Sequence, residues 1–420
     1  MKKLLLLFLL WSMFVPMLSQ RTVIYDDGIA SLRLDKGGEV SGLPVLDLSK
    51  REELTVSFDD LTHEYRRFSY RIEHVGADFL TDEGLFDSEY MIADDAELLI
   101  EDYAQSMNTT VLYNHYSFKL PNVNMRPLLS GNYRLTVRVE DEDGNMQPAF
   151  ETYFAVVDHK TSVLLRGTTN TEIDYNKTHQ QLDIELTYGD ELFIRDATQD
   201  IRIVVLQNGR WDNAVEYPKP TAQTGKSLKW EHSRDLIFKA GNEYRKFEQL
   251  STRVPGMFVD NVRYFEPYYY ATLPVNTPRK NYLYDEDQNG RYVIRTERSG
   301  DADVEADYMW VMFQLEMPQV TDADVYLDGL WTGNLFVPRY QMKYNAQAGR
   351  YEALIFLKQG YYSYQYVAVR RGGGGRKSAF SVEGDFFQTE NEYTVLVYYR
   401  KPGDRYDQLV GWRTASYRAR

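Results

Sequence analysis

The chain contains no cysteine among its 420 residues. Disulfides and a thiol nucleophile are therefore excluded, and so is a lipid anchor on a cysteine at a leader cleavage site. Stability must come from core burial. A mature chain of about 400 residues is ample for that and suggests roughly two to four domains. Long apolar runs are also scarce. The only one is Leu4–Val15, interrupted by Ser12 and preceded by Lys2 and Lys3. It falls short of the ~20 residues a bilayer span needs. With Ser19 before a plausible cut, it reads as a secretory signal over 1–19; a signal anchor is the rival. No later segment is a transmembrane candidate.

Catalytic and metal motifs are missing as well. The six histidines, His63, His74, His115, His159, His179 and His232, form no metal-binding pair of the His-Glu-x-x-His kind. There is no Gly-x-Ser-x-Gly elbow, and no carboxylate pair stands out as a glycosidase acid and base. Gly372–Ser378 fails as a phosphate loop, because Arg376 stands where Gly is required before Lys377; it reads as a hairpin tip. Asp285–Gly290 matches the front half of a calcium loop, but position 296 is Thr where the bidentate Glu belongs. An Asn-Gly turn is the simpler reading, with an ion site as the alternative. No cofactor, metal ligand or catalytic residue is assigned.

The formal charge is −14, and −16 once Lys2 and Lys3 leave with the signal. Such a surface disfavours nucleic acid and anionic lipid as partners. It is equally the surface of a merely soluble protein.

What the chain does have is period-two alternation, the mark of half-buried strands. Leu54, Val56 and Phe58 share one face, as do Phe68, Tyr70 and Ile72, and Tyr133, Leu135, Val137 and Val139. Asp141–Asn145 is a turn, after which Phe150, Thr152, Phe154 and Val156 return as the second arm of a hairpin. Similar runs follow at 182–187, 351–357, 362–366 and 393–399. Asp94–Met107 is the best site for a short helix. The pattern predicts an all-β chain of tandem antiparallel β-sandwich modules, immunoglobulin-like or early-set. The expected boundaries are 20–157, 158–300 and 301–402, with a solvated tail over 403–420.

Two segments stand out as partner-binding candidates. Ile201–Leu206 is strand-like and runs into Asn208-Gly209, a type I′ turn pair. Arg210, Trp211, Asp212 and Asn213 follow, a cluster that turn chemistry does not require. Trp211 reads equally as a buried core residue or a surface anchor. Among 34 tyrosines, Tyr268, Tyr269 and Tyr270 are consecutive. A strand must send them to both faces, either toward another module or toward a partner.

These segments also carry a family likeness. Leu54–Leu61, Asn114–Asn122, Leu129–Tyr133, Val204–Ala214, Gly241–Phe247, Asp285–Val293, Leu357–Tyr366, Thr389–Tyr398 and Gly403–Gly411 resemble the plug proteins of the type IX secretion system over nearly the whole mature length. Val75 and Phe79 depart from the pattern, which has Cys and Trp there; both are packing substitutes. The resemblance implies a non-enzymatic periplasmic protein that docks on the outer-membrane translocon barrel. It would close the periplasmic mouth when no cargo passes, without entering the membrane. It does not itself assign the docking residues. An alternative is a carbohydrate-binding module. Val325–Trp331, Gly349–Ala353 and Gly360–Tyr364 are similar to early-set sandwiches that bind glucans, with Trp331 as the stacking platform. An enzyme with an atypical site, or secreted cargo of the same pathway, are further readings. The missing motifs and the lack of a sorting module after the last strands speak against them.

Overall fold

The computed structural model describes residues 22–298, 300–372 and 379–419. The predicted signal over 1–19 and most of the glycine-rich tip, 373–378, lie outside them. The regular structure of the described residues is almost all strand, and their three α-helices, Asp87–Tyr90, Ala197–Asp200 and Ala302–Glu305, have one turn each. The helix expected over 94–107 is absent. Two short strands, Leu98–Ile100 and Tyr103–Gln105, lie there instead, each paired to a different sheet of the first module. Tertiary pairing overrides a weak local preference.

The first module is a sandwich. One sheet runs Val23–Ile24, Met146–Val157, Gly131–Glu140, Phe68–Val75 and Leu98–Ile100, with Val45–Asp47 added in parallel. The other runs Glu39–Val40, Ile29–Lys36, Leu54–Asp60, Asn114–Leu120 and Tyr103–Gln105. The alternating residues meet between them. Leu54, Val56, Phe58, Phe68, Ile72, Tyr133, Leu135 and Val137 share one core, with Phe58 edge-on to Phe68 and Phe150, each at 5.1 Å.

Alternation predicts one wet face per strand, and here several strands have none. Met146–Val157 sends Phe150, Phe154 and Val156 into that core, while Tyr153, Ala155 and Val157 enter a second one. This second core joins the first module to a four-stranded sheet, ordered Arg210–Glu216, Ile201–Gln207, Asn391–Tyr399 and Gln408–Tyr417. That sheet is dry on both sides. Val204, Leu206, Leu396 and Tyr398 face the first module. Ile203, Val205, Val395 and Val397 face a five-stranded sheet built on Thr161–Thr168, His179–Tyr188, Ala222–Thr224, Ser227–Trp230 and Ile237–Lys239.

Strand pairing thus crosses two expected boundaries. Asn391–Tyr399 pairs with Ile201–Gln207 through seven residues, so the end of the chain completes the middle sandwich. Residues 403–420 are not a tail, because Gln408–Tyr417 pairs along the whole of Asn391–Tyr399. Conversely, Arg245–Gln249, Asn261–Phe265, Tyr268–Thr272 and Tyr292–Ile294 belong with 308–381 in a ten-stranded assembly. Its two layers are linked by Gln341–Asn345, which pairs with both Ala323–Asp328 and Arg350–Lys358. The expected break near 300 is also no linker. Val304 O accepts the Met107 N–H at 2.8 Å, and Tyr113 donates to Ala306 O at 2.8 Å.

Candidate functional site

The segment Gln207–Asn213 lies where the three bodies meet. Asn208 (φ 54°) and Gly209 (φ 67°) both occupy the left-handed region, as a type I′ turn demands. The Asn208 side chain then does more than turn. Its Nδ2 donates to Asn391 Oδ1 at 2.8 Å, and its Oδ1 accepts the Glu392 N–H at 2.8 Å. Asn391 in turn donates to Gln180 Oε1 and Ala240 O. Asn213 donates to Gln207 Oε1 at 2.8 Å, and Gln207 donates to Lys239 O at 2.9 Å. The turn is thereby fixed to both layers of the middle sandwich.

The residues after the turn reach the other two bodies. Trp211, 5% exposed, packs in the second core, edge-on to Phe79 of the first module at 5.0 Å. Arg210 holds Asp212 through Nε at 2.9 Å and lies 3.8 Å from Asp328 of the large assembly. Asp328 also accepts from Asn334 and Gln365. Burial opposes the charge on Arg210, but Asp212 and Asp328 outweigh it and hold its pKa well above the ordinary value. Burial, with the nearby Asp212, pushes the Asp328 carboxyl up against the pull of Arg210. Two cavities of about 280 and 250 Å³ flank the turn, and Asn208 lines both.

This geometry corrects the expectation of a partner-facing cluster at Arg210, Trp211, Asp212 and Asn213. Trp211 and Asp212 are buried, and the Arg210 guanidinium is already shared between two carboxylates. The segment holds the modules together, with Arg210 and Asn213 half-buried. Trp331 is likewise no open platform for a sugar. It is packed between Phe313 (6.0 Å), Tyr340 (5.7 Å) and Tyr362 (5.9 Å), and its Nε1 donates to Ser363 O at 3.1 Å.

Tyr268, Tyr269 and Tyr270 divide as a strand requires. Tyr269 packs against the core of the large assembly. Tyr268 lies on the outer face, against Phe356 at 5.6 Å and Trp310 at 6.4 Å. Tyr270 is cross-strand from Trp310 on that same face. In the Asp285–Gly290 loop, Asp285 pairs with Lys246 at 2.7 Å. Asp287 accepts the backbone N–H groups of Tyr244 and Asn289, and burial, its largest influence, pushes its pKa up to about 7.

Sequence reasoning missed two charged clusters that tie the first module down. In one, Asp59 accepts from His115 Nδ1 at 2.7 Å, Tyr308 OH at 2.6 Å and Lys358 Nζ at 2.6 Å. Burial alone would raise the pKa of Asp59, but Lys358 and His115 hold it below the ordinary range. In the other, Glu83 binds His74 at 2.7 Å and Arg400 at 3.0 Å, while Asp407 binds Arg400 at 2.8 Å and also Arg202. His74 and His115 are therefore structural. Asp59 and Lys358 are 299 positions apart, and no local pattern joins them. The only trace is that both are charged residues inside strands that otherwise alternate.

The described residues form a multi-sandwich protein without a metal-ligand cluster, and none of their helices is long and apolar enough to cross a membrane. Residues 29–158 match the family model described as the type 9 secretion system plug protein first domain. The fold superposes on the crystal structure of a hypothetical protein from Parabacteroides merdae with a TM-score of 0.90. The two are 35% identical over 95% of this chain and 100% of that one. No curated protein matches. The chain belongs to the type 9 secretion system plug protein family.

Proposed function

We propose that the protein is a non-enzymatic periplasmic plug. It docks on the outer-membrane translocon barrel of the type IX secretion system and closes the periplasmic opening when no cargo passes. The observation that carries this reading is the first-domain match over 29–158, set in a body that is bolted together at every junction. A plug must hold its shape against a wide opening. Shared sheets, a common second core and two buried ionic clusters supply that stiffness, with no hinge-like linker between the bodies among the described residues. The glucan-binding alternative is less favoured, because Trp331 is half-buried and packed against Phe313, Tyr340 and Tyr362. The test is affinity recovery of the tagged, processed protein from detergent-solubilised outer membrane, followed by mass spectrometry. Enrichment of one very large barrel protein is the expected outcome. Recovery of glycans alone, or of nothing, would overturn the plug reading.

A further inference from the structure

The ten-stranded assembly ends in Asn261–Phe265, which is paired on one side only, to Tyr268–Thr272. Beside that edge, the outer face carries a continuous run of rings. Tyr113 of the first module meets Tyr308 at 5.4 Å, Tyr308 stacks on Phe356 at 5.3 Å, and Phe356 touches Trp310 at 4.9 Å and Tyr268 at 5.6 Å. The first module covers the start of this run, where Tyr308 and Lys358 are buried. Beyond it the face is open. Phe265 is 58% exposed and Leu354 39%, while Trp310, Phe356, Tyr268 and Tyr270 are half-buried.

We propose that this outer face and the free edge of Asn261–Phe265 form a strand-addition site. Its occupant is an extended, alternately apolar segment at the periplasmic rim of the translocon barrel, an assignment that rests on the plug reading. Three observations favour it. The face is continuous with an interface that already seats a β-sandwich, the first module, on the same row of rings. The edge lacks several of the devices that blunt natural edges, Arg263 being its one charged side chain. It contains no Pro or Lys, and its hairpin register has no bulge. It carries instead two adjacent aromatics, Tyr264 and Phe265, each more than half exposed. Finally, aromatic residues beside an arginine, here Arg263, are the composition of interface anchors. Strand addition uses both parts of the site. The edge supplies backbone hydrogen bonds, and every second side chain of the incoming strand falls on the ring-lined face.

The experiment places the photo-crosslinking residue p-benzoylphenylalanine at Phe265 in the full-length protein in cells. A control carries it at Phe86 of the first module, which is 74% exposed. The expected result is a crosslink to the barrel from position 265, within a segment whose apolar residues alternate. F265K, which removes an exposed ring and leaves the core intact, should lower barrel recovery about tenfold or more with unchanged melting. If the barrel is recovered undiminished by F265K, or crosslinks only from position 86, the surface is wrong and the plug reading stands. If neither position nor the pull-down yields a barrel, both fall. Crosslinking from 265 only to a second copy of this chain, or binding of glycan alone, would overturn the occupant.

Discussion

Trp211 could be read from the sequence equally as a core residue or as a surface anchor, and its surroundings decide for the core. Its neighbours Arg210, Asp212 and Asn213 give the segment a polar, surface-like look. The ring nevertheless lies in the core between the first module and the four-stranded sheet, against Phe79. Its indole Nε1 is buried without a hydrogen-bond partner. Two substitutions should therefore differ sharply. Trp211→Ala removes the ring and opens a cavity, at a cost of about 3–5 kcal/mol. Trp211→Phe keeps an aromatic and loses no hydrogen bond, so it should cost less than half as much. Denaturant unfolding measures both. Equal losses would show that the N–H has a partner after all. Barrel recovery per folded molecule should be unchanged in either variant, in contrast with F265K.

At the scale of strands, the sequence was legible wherever one face is wet. The runs at 54–58, 68–72 and 133–139 alternate, and their alternating residues form the core of the first module. The Asn208-Gly209 turn was also legible, because positive φ at two successive residues has a narrow chemistry. What could not be read was partnership. Residues 403–420 read as a C-terminal tail because their last positions, Thr414–Arg420, are polar and Arg-rich. Yet Leu409 and Val410 are fully buried, and the strand Gln408–Tyr417 is the outer member of the four-stranded sheet. Its own partner is the neighbouring 391–399; the long-range step is the pairing of 391–399 with 201–207, and pairing over such a separation leaves no trace in local pattern. Deletion of residues 403–420 decides between the two. A solvated tail could be removed without loss. A strand that lines two cores could not, because its absence exposes the row from Tyr393 to Tyr399. We expect the truncated protein to be recovered mainly as insoluble material, and a soluble product to melt far below the full chain. A truncation with unchanged melting would contradict the pairing.

For the whole molecule, the question is whether the three bodies unfold together. Chains of this size usually show separate transitions for separate domains. Here the charged cluster at Asp59 argues otherwise. Asp59 belongs to the first module, and Lys358 and Tyr308 to the large assembly; the Asp59 and Lys358 side chains are each 1% exposed. A buried pair gives modest net stability while intact, but removing one partner strands a charge and costs about 3–5 kcal/mol. Lys358→Met should therefore be severely destabilising. Asp59→Asn combined with Lys358→Met should recover much of the loss, because no unpaired charge remains in the interface. If the cluster couples the bodies, urea unfolding followed by tryptophan fluorescence and by far-ultraviolet circular dichroism should coincide in the wild type. It should separate into two steps in Lys358→Met, the first releasing the first module from the large assembly. Coincident curves in both proteins, with an additive double mutant, would place the coupling in the shared second core around Trp211 instead.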